Sequence, residues 1–195
     1  MSYISNAMIK KQQLLKVILY NWITGFKVSP AVIFLTGLSG SGKTTIAKKV
    51  IEKLRKKGLE PVLLDGDEIR NAIKLTGFDE ASRKNHNLNV GYMAKILEGQ
   101  RKIVVVSLIS PYDDIRNQIR AMCNKFIEVH VATDIKVCIE RDPKGMYQKA
   151  ISGEIKDFTG ISAPYYPPQK PELVLDTGSM STELCAEKII DLLKQ

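Results

Sequence analysis

The chain has 195 residues, 44% of them hydrophobic and 26% charged, a size and balance that suit one globular domain with a sizeable core and leave little room for a second. Its three cysteines, Cys123, Cys138 and Cys185, are odd in number and widely spaced, which argues against a disulfide framework or a zinc cluster and fits a reducing cytoplasm. Many of the lysines behind the net charge of +8, among them Lys48, Lys49, Lys53, Lys56 and Lys57, fall on the outer faces of predicted helices, so the charge reads as a solvated surface on a protein with polyanionic ligands, not as a nucleic-acid footprint.

Ser5-Asn6-Ala7 before Met8 reads as a cloning scar, and residues 1–7 are set aside. Between Lys10 and Ile23 the residues Leu14, Leu15, Ile18, Leu19, Trp22 and Ile23 share one helical stripe opposite Lys11 and Lys16. An N-terminal extension over residues 1–30 is therefore expected to carry an amphipathic helix packed on the domain or on a partner. Lys16 interrupts the apolar run and no small-residue cleavage site follows, which argues against a signal peptide and against membrane contact. No stretch reaches the roughly 18 uncharged apolar residues of a membrane span.

The domain proper is expected over residues 31–195. Ala31-Val32-Ile33-Phe34-Leu35-Thr36 reads as a buried parallel strand and runs into Gly37-Leu38-Ser39-Gly40-Ser41-Gly42-Lys43-Thr44-Thr45. That run fits G-x-x-x-x-G-K-[ST] at every fixed position: glycines let the backbone turn its N–H groups around an anion, Lys43 adds a cation, and Thr44 supplies a hydroxyl for Mg²⁺. Ile46, Ala47, Val50, Ile51 and Leu54 then form the core stripe of a helix whose N-terminus faces the phosphates, and Gly58 stops it. A nucleoside triphosphate is the ligand this arrangement serves.

Pro61-Val62-Leu63-Leu64 reads as a second short buried strand delivering Asp65-Gly66-Asp67 at its carboxyl end, where open α/β sheets bind their ligands. A short helix through Arg70, a break at Gly77-Phe78 and a longer helix from about Glu80 to Leu97 follow. Ile103–Ser107 is the third strand, ending in Ser110-Pro111. Next come a helix over Asp113–Met122, a strand over Phe126–Val131 and a helix around Ile135–Glu140. Residues 142–170, with Asp142-Pro143-Lys144-Gly145, Phe158-Thr159-Gly160 and Pro164 to Pro168, are too rich in turn formers for long elements and suit a mobile lid over a phosphate site. The strand Leu173–Leu175 and the helix Thr182–Leu193 close the chain. The expected fold is α/β, a P-loop NTPase fold with a five-stranded parallel sheet, helices on both faces and a C-terminal lid.

A phosphate loop alone leaves phosphotransferases, nucleotide switches and ATPase motors open. The nearest approach to a guanine-gripping Asn-Lys-x-Asp quartet is Asn124-Lys125-Phe126-Ile127, which lacks the aspartate, and the third strand ends in Ser107 without a carboxylate. Asp65 is the carboxylate that does stand at a strand end. A lid carrying Arg141, Lys144, Lys149, Lys156, Tyr147 and Phe158 adds the means to exclude water and neutralise charge, which makes a small-molecule kinase the economical reading.

Six motifs in order resemble the adenylyl-sulfate kinase family: the phosphate loop, Leu64-Asp65-Gly66-Asp67-Glu68-Ile69-Arg70, Ile109-Ser110-Pro111-Tyr112, Phe126-Ile127-Glu128-Val129, Arg141-Asp142-Pro143-Lys144-Gly145 and Lys156-Asp157-Phe158-Thr159-Gly160-Ile161. The resemblance spans about residues 31–177. It implies transfer of the γ-phosphate of MgATP to the 3′-hydroxyl of adenosine 5′-phosphosulfate, and a homodimer. ATP would be held by Gly37, Ser39, Gly40, Ser41, Gly42, Lys43, Thr44, Thr45 and Arg141, with Thr44 on Mg²⁺ and Lys43 also acting on the transferred group. Asp65 is the candidate to accept or orient the hydroxyl proton, its alternative being a cap of the next helix. Asp67, Arg70, Phe78, Arg83, His86, Ile109, Ser110, Lys144, Asp157 and Phe158 form the implied acceptor side. Guanidinium forks at Arg70 and Arg83 suit the phosphosulfate, with surface ion pairs as the alternative. The family pattern suggests Phe78 and Phe158 as an adenine sandwich. It also implies a catalytic-site serine at Ser110, which direct in-line transfer makes an acceptor-site residue and not a phosphorylated intermediate.

Two positions depart from the pattern. The family places asparagine, isoleucine and two basic residues where this chain has His86-Asn87-Leu88-Asn89, and commonly a basic residue where this chain has Asp113. Positive charge is thereby expected to be missing from the acceptor side. A paralogous kinase of another nucleotide conjugate or nucleoside monophosphate, and a nucleotide-binding switch without turnover, stay as alternatives. His86 and His130 fall within no metal-ligand spacing.

Overall fold

β1 (Ala31–Thr36) runs through the middle of a wholly parallel sheet, and the computed structural model describes residues 28–194 of the chain. The helix expected over Lys10–Ile23 lies outside the described residues. Among those described, the sheet has five strands in the order β2 (Val62–Asp65), β3 (Ile103–Ser107), β1, β4 (Phe126–Val131) and β5 (Leu173–Leu175). Every residue of β1 is buried because it pairs with β3 on one side and β4 on the other while helices cover both faces, which is why its sequence lacks polar alternation.

Alternation along β1 instead divides two cores. Ala31, Ile33 and Leu35 pack with Ile46, Val50 and Leu54 of α1 (Lys43–Lys56), and with residues of the last helix, Thr182–Leu193. Val32 and Phe34 face the opposite layer, where α3 (Glu80–Gly99) contributes Val90 and Ala94 and α4 (Asp113–Met122) contributes Ile115 and Ile119. Gly91 lets these two helices approach, since a Cβ there would stand 2.6 Å from Ile119 Cγ1. β2, expected to be buried, is only half-buried at Val62, Leu63 and Leu64, because it is an edge strand with β3 as its partner in the sheet.

The inner face of α3 changes character along its length. Arg83, His86 and Asn87 occupy the turns over the carboxyl end of the sheet, and Val90 and Ala94 take over toward its middle. The strand ends Asp65 and Ser107 stand opposite each other in the β2–β3 register, and His86 of this polar half reaches the Gly66 carbonyl just past the first of them.

Residues 142–170 contain one short helix, α6 (Met146–Ile151), after α5 (Ile135–Arg141). Asp142 caps it by accepting from the amides of Tyr147 and Gln148, both at 3.1 Å. This segment also has its own small core: Cys138, Tyr147, Ala150 and Phe158 pack with Leu38 of the phosphate loop, and the Tyr147 and Phe158 rings meet edge to face at 4.9 Å.

Candidate active site

The phosphate loop is shaped by its glycines at two points that no other residue would tolerate. A Cβ on Gly37 would fall 2.4 Å from the Val131 carbonyl oxygen, and Gly42, at φ +96, is the left-handed residue from which α1 starts. The first turn of α1 carries no acidic side chain, so the positive end of the helix is left for anions. Lys43 is buried and folds back onto the loop, donating to the Leu38 carbonyl at 2.6 Å and the Ser41 hydroxyl at 3.4 Å. Burial depresses its pKa to about 8, against the partial support of Asp67 and Asp65.

Thr44 and Asp65 converge on one point: the threonine hydroxyl donates to Asp65 Oδ2 at 2.7 Å and lies 3.1 Å from the Ser107 hydroxyl. The other carboxylate oxygen, Oδ1, accepts from the amides of Asp67 at 3.0 Å and Glu68 at 3.4 Å and caps α2 (Gly66–Ala72). The capping alternative and the site position are thus both realised in one residue. Ser107 was not singled out from sequence, although it is the first hydroxyl after an apolar run that ends at the site.

These oxygens also fit a hard divalent cation. Thr44 offers a hydroxyl and Asp65 a carboxylate on the phosphate side, and among the described residues no group of three or more His, Cys, Asp or Glu side chains gathers into a metal cage. Such a site suits Mg²⁺, which keeps water and phosphate ligands and takes one or two from protein.

Arg141 docks on Thr177, donating to its hydroxyl at 2.7 Å and its carbonyl at 2.8 Å, within 3.4 Å of the Gly40 carbonyl. Thr177 and Thr133 in turn donate to the Ser41 carbonyl at 2.9 and 3.1 Å. The Tyr147 hydroxyl donates to the Ser39 carbonyl at 2.9 Å, and burial raises its pKa well above the usual tyrosine range. The loop is therefore braced by four residues outside the sequence motif, Arg141, Tyr147, Thr133 and Thr177. Thr133 follows β4 and Thr177 follows β5, so their place past strand ends was the available signal. Thr45 is exposed on the outer side of α1.

On the acceptor side, Arg70 donates to the Gly77 carbonyl at 2.6 Å and lies over the exposed Phe78 ring at 4.6 Å. Arg83 reaches across to the lid, donating to the Asp157 carbonyl at 3.0 Å and the Thr159 hydroxyl at 2.9 Å. These partners are uncharged, so they orient the guanidinium groups without neutralising them, unlike the surface ion pairs that were the alternative. Phe158 is buried in the small lid core, with Phe78 at the surface of the α2–α3 turn. His86 is buried and its Nε2 lies 3.0 Å from the Gly66 carbonyl; burial and the nearby Arg70 lower its pKa. Lys144 closes across to Asp67 at 2.5 Å. Ile109 and Ser110 follow β3, with Ser110 in the left-handed region at φ +43. Asp113 does not simply subtract charge from this side: it pairs at 2.9 Å with Arg116, a buried cation that the sequence reading passed over.

A profile of the family described as adenylylsulphate kinase matches residues 29–176. The chain belongs to the adenylylsulphate kinase family. A probable adenylyl-sulfate kinase of Bacillus subtilis is 42% identical over 172 residues, which are 87% of this chain and 87% of that one. The adenylyl-sulfate kinase of Bacillus pumilus is 44% identical over 167 residues, 84% of this chain and 85% of its own. Among solved structures, the APS kinase of Mycobacterium tuberculosis in complex with AMPPNP and APS superposes with a TM-score of 0.82 at 36% identity, covering 87% of this chain and all of that one. A gluconokinase of Sinorhizobium meliloti, at 17% identity and a TM-score of 0.56, shares the fold alone. The sequence resemblance and the α/β, five-stranded parallel architecture are thereby borne out.

Proposed function

We propose that this chain is an ATP-dependent adenylyl-sulfate kinase, transferring the γ-phosphate of ATP to the 3′-hydroxyl of adenosine 5′-phosphosulfate. Beside the family membership, one observation carries the reading. A strand-end carboxylate, Asp65, is hydrogen-bonded to the hydroxyl of the phosphate loop, Thr44, so a base and a phosphate cradle share one point. Lys43, the loop amides and the open end of α1 would hold the β- and γ-phosphates, placing donors where negative charge grows during transfer. Asp65 would orient or accept the 3′-hydroxyl proton. Thr44 and Asp65 would hold Mg²⁺, whose chemistry there would be neutralisation of phosphate charge.

Arg70 and Arg83, oriented by neutral partners, support recognition of the phosphosulfate, with Ile109, Ser110 and His86 lining the same side. Phe78 and Phe158 would flank the adenine from the α2–α3 turn and from the lid. Residues 142–170 would close over the site within a kinase domain spanning 31–195, Arg141 and Lys144 meeting phosphates in place of Thr177 and Asp67. No described helix is long and apolar enough to cross a membrane. A homodimer to which the N-terminal stripe contributes is the proposed assembly, and sedimentation of a chain beginning near Val28 tests that contribution.

The test of function is ADP release, coupled to a visible readout, across a panel of acceptors: adenosine 5′-phosphosulfate, a cytidine diphosphate conjugate and nucleoside monophosphates. Stimulation by adenosine 5′-phosphosulfate is expected. Stimulation by another member of the panel alone would identify a paralogue, and none at all would identify a switch.

A further inference from the structure

Arg116 is 1% exposed, and a cation withdrawn from water to that degree needs partners on every side. Its Nε pairs with Glu128 at 2.9 Å, a carboxylate that is itself buried and shared with Arg120 at 3.0 Å. That contact is an ion pair by distance, without an aligned hydrogen bond at Nε or at Glu128 Oε1. The other two nitrogens do something else: Nη1 donates to the Ser110 carbonyl at 2.6 Å, and Nη2 to the Tyr166 carbonyl at 2.7 Å and to Asp113 Oδ1 at 2.9 Å. Those carbonyls belong to the loop after β3 and to the returning end of the lid, which also meet directly, the Tyr166 amide donating to the Pro111 carbonyl at 2.9 Å. Ser110 is held at φ +43, which a non-glycine residue keeps only where its surroundings impose it.

We infer that Arg116 is a positioning residue for the acceptor: its fork fastens the Ser110 loop to the returning end of the lid, and this joint fixes the acceptor side of the pocket without touching substrate. The inference rests on the reading of Ile109 and Ser110 as acceptor-contacting. A planar fork with separate nitrogens is what the joint requires, because two carbonyls from two segments must be held at once. A lysine would keep the charge beside Glu128 and lose that span.

The experiment compares Arg116→Lys with wild type in steady-state kinetics, in thermal melting and in amide hydrogen exchange at Tyr166. The expected result is a rise of roughly tenfold in the KM for adenosine 5′-phosphosulfate, an ATP KM within about twofold of wild type, and faster exchange at Tyr166 with the amides of β1 unchanged. In a Ser110→Gly background, where glycine adopts the positive φ freely, the effect of Arg116→Lys on acceptor KM should shrink. An unchanged Tyr166 exchange rate, an equal rise in both KM values, or the same factor in both backgrounds would overturn the inference. Should Arg116→Lys not fold, Asp113→Ala, which removes the exposed partner of Nη2, decides: a raised acceptor KM supports the joint and an unchanged one refutes it. Wild type that ignores adenosine 5′-phosphosulfate would sink the functional reading alone, since exchange at Tyr166 still reports on the joint.

Discussion

The Thr44 hydroxyl donates to Asp65 Oδ2 while Asp65 Oδ1 caps α2, so one carboxylate serves the phosphate site with one oxygen and the fold with the other. Asparagine keeps an acceptor for the cap and loses the charge. Asp65→Asn should therefore fold normally, keep its affinity for ATP measured without Mg²⁺ and lower kcat by about two to four orders of magnitude. Asp65→Ala should lose the cap as well, at about 1 kcal/mol of stability. Kinetics and melting on the two variants separate the roles, and a near-wild-type kcat for Asp65→Asn would remove the base assignment. Lys43→Ala should abolish turnover.

Lys43 predicts a proton-linked affinity for nucleotide. Its pKa in the nucleotide-free site is lowered to about 8 by burial, and a polyphosphate beside it would restore the charged form. Below pH 8 the lysine already carries its proton, so affinity is level there; above pH 8 binding must take up a proton, and affinity falls as pH rises. Calorimetry at pH 9 in buffers of different ionisation enthalpy should show uptake approaching one proton per nucleotide, and little at pH 7. Loss of this uptake in Lys43→Met, with some residual binding, would assign it to the lysine.

Much of this site was legible because it is built from local pattern. The phosphate loop requires glycines at fixed spacing, and β1 announces itself as an unbroken apolar run because both its faces are covered. What escaped notice is held by contacts far apart in sequence. Thr133 and Thr177 both reach the Ser41 carbonyl from the ends of different strands, and Arg116 joins Ser110 to Tyr166, which lies 50 residues beyond the arginine itself. A buried arginine on a helix reads, from sequence, as any surface cation. Half-burial of β2 was equally invisible, since edge or centre is decided by strand order and not by composition.

Arg83 links α3 to the lid through the Asp157 carbonyl and the Thr159 hydroxyl, which makes closure and acceptor recognition properties of one side chain. Arg83→Ala should raise the acceptor KM and also speed proteolytic cleavage between residues 152 and 157, since exposed loop backbone is cut where it is least held. Arg83→Lys should recover part of the acceptor affinity and little of the protection. Limited digestion beside kinetics checks both, and normal protection in Arg83→Ala would detach the lid from this residue.

His86 presents the wrong polarity for an anionic acceptor. Its Nε2 faces the Gly66 carbonyl, which places the proton there and leaves the buried Nδ1 as a lone pair, and burial together with Arg70 lowers its pKa so that the ring is neutral near pH 7. An asparagine amide would supply a donor, so His86→Asn alone should lower the KM for adenosine 5′-phosphosulfate and leave that for ATP unchanged. Asp113→Arg should do the reverse of what a missing basic residue suggests, because it would set a second cation against Arg116 and raise the acceptor KM. The lowered pKa also sets a sign for stability. The unfolded chain takes up the proton near the ordinary histidine value of about 6.5, so the contribution of neutral His86 is complete above that pH and is lost as acidity increases below it. His86→Asn should flatten this acid limb in thermal melts. A rise in KM on the best acceptor instead would make the His86 lone pair a determinant for a different acceptor, one that donates a hydrogen bond where the phosphosulfate cannot.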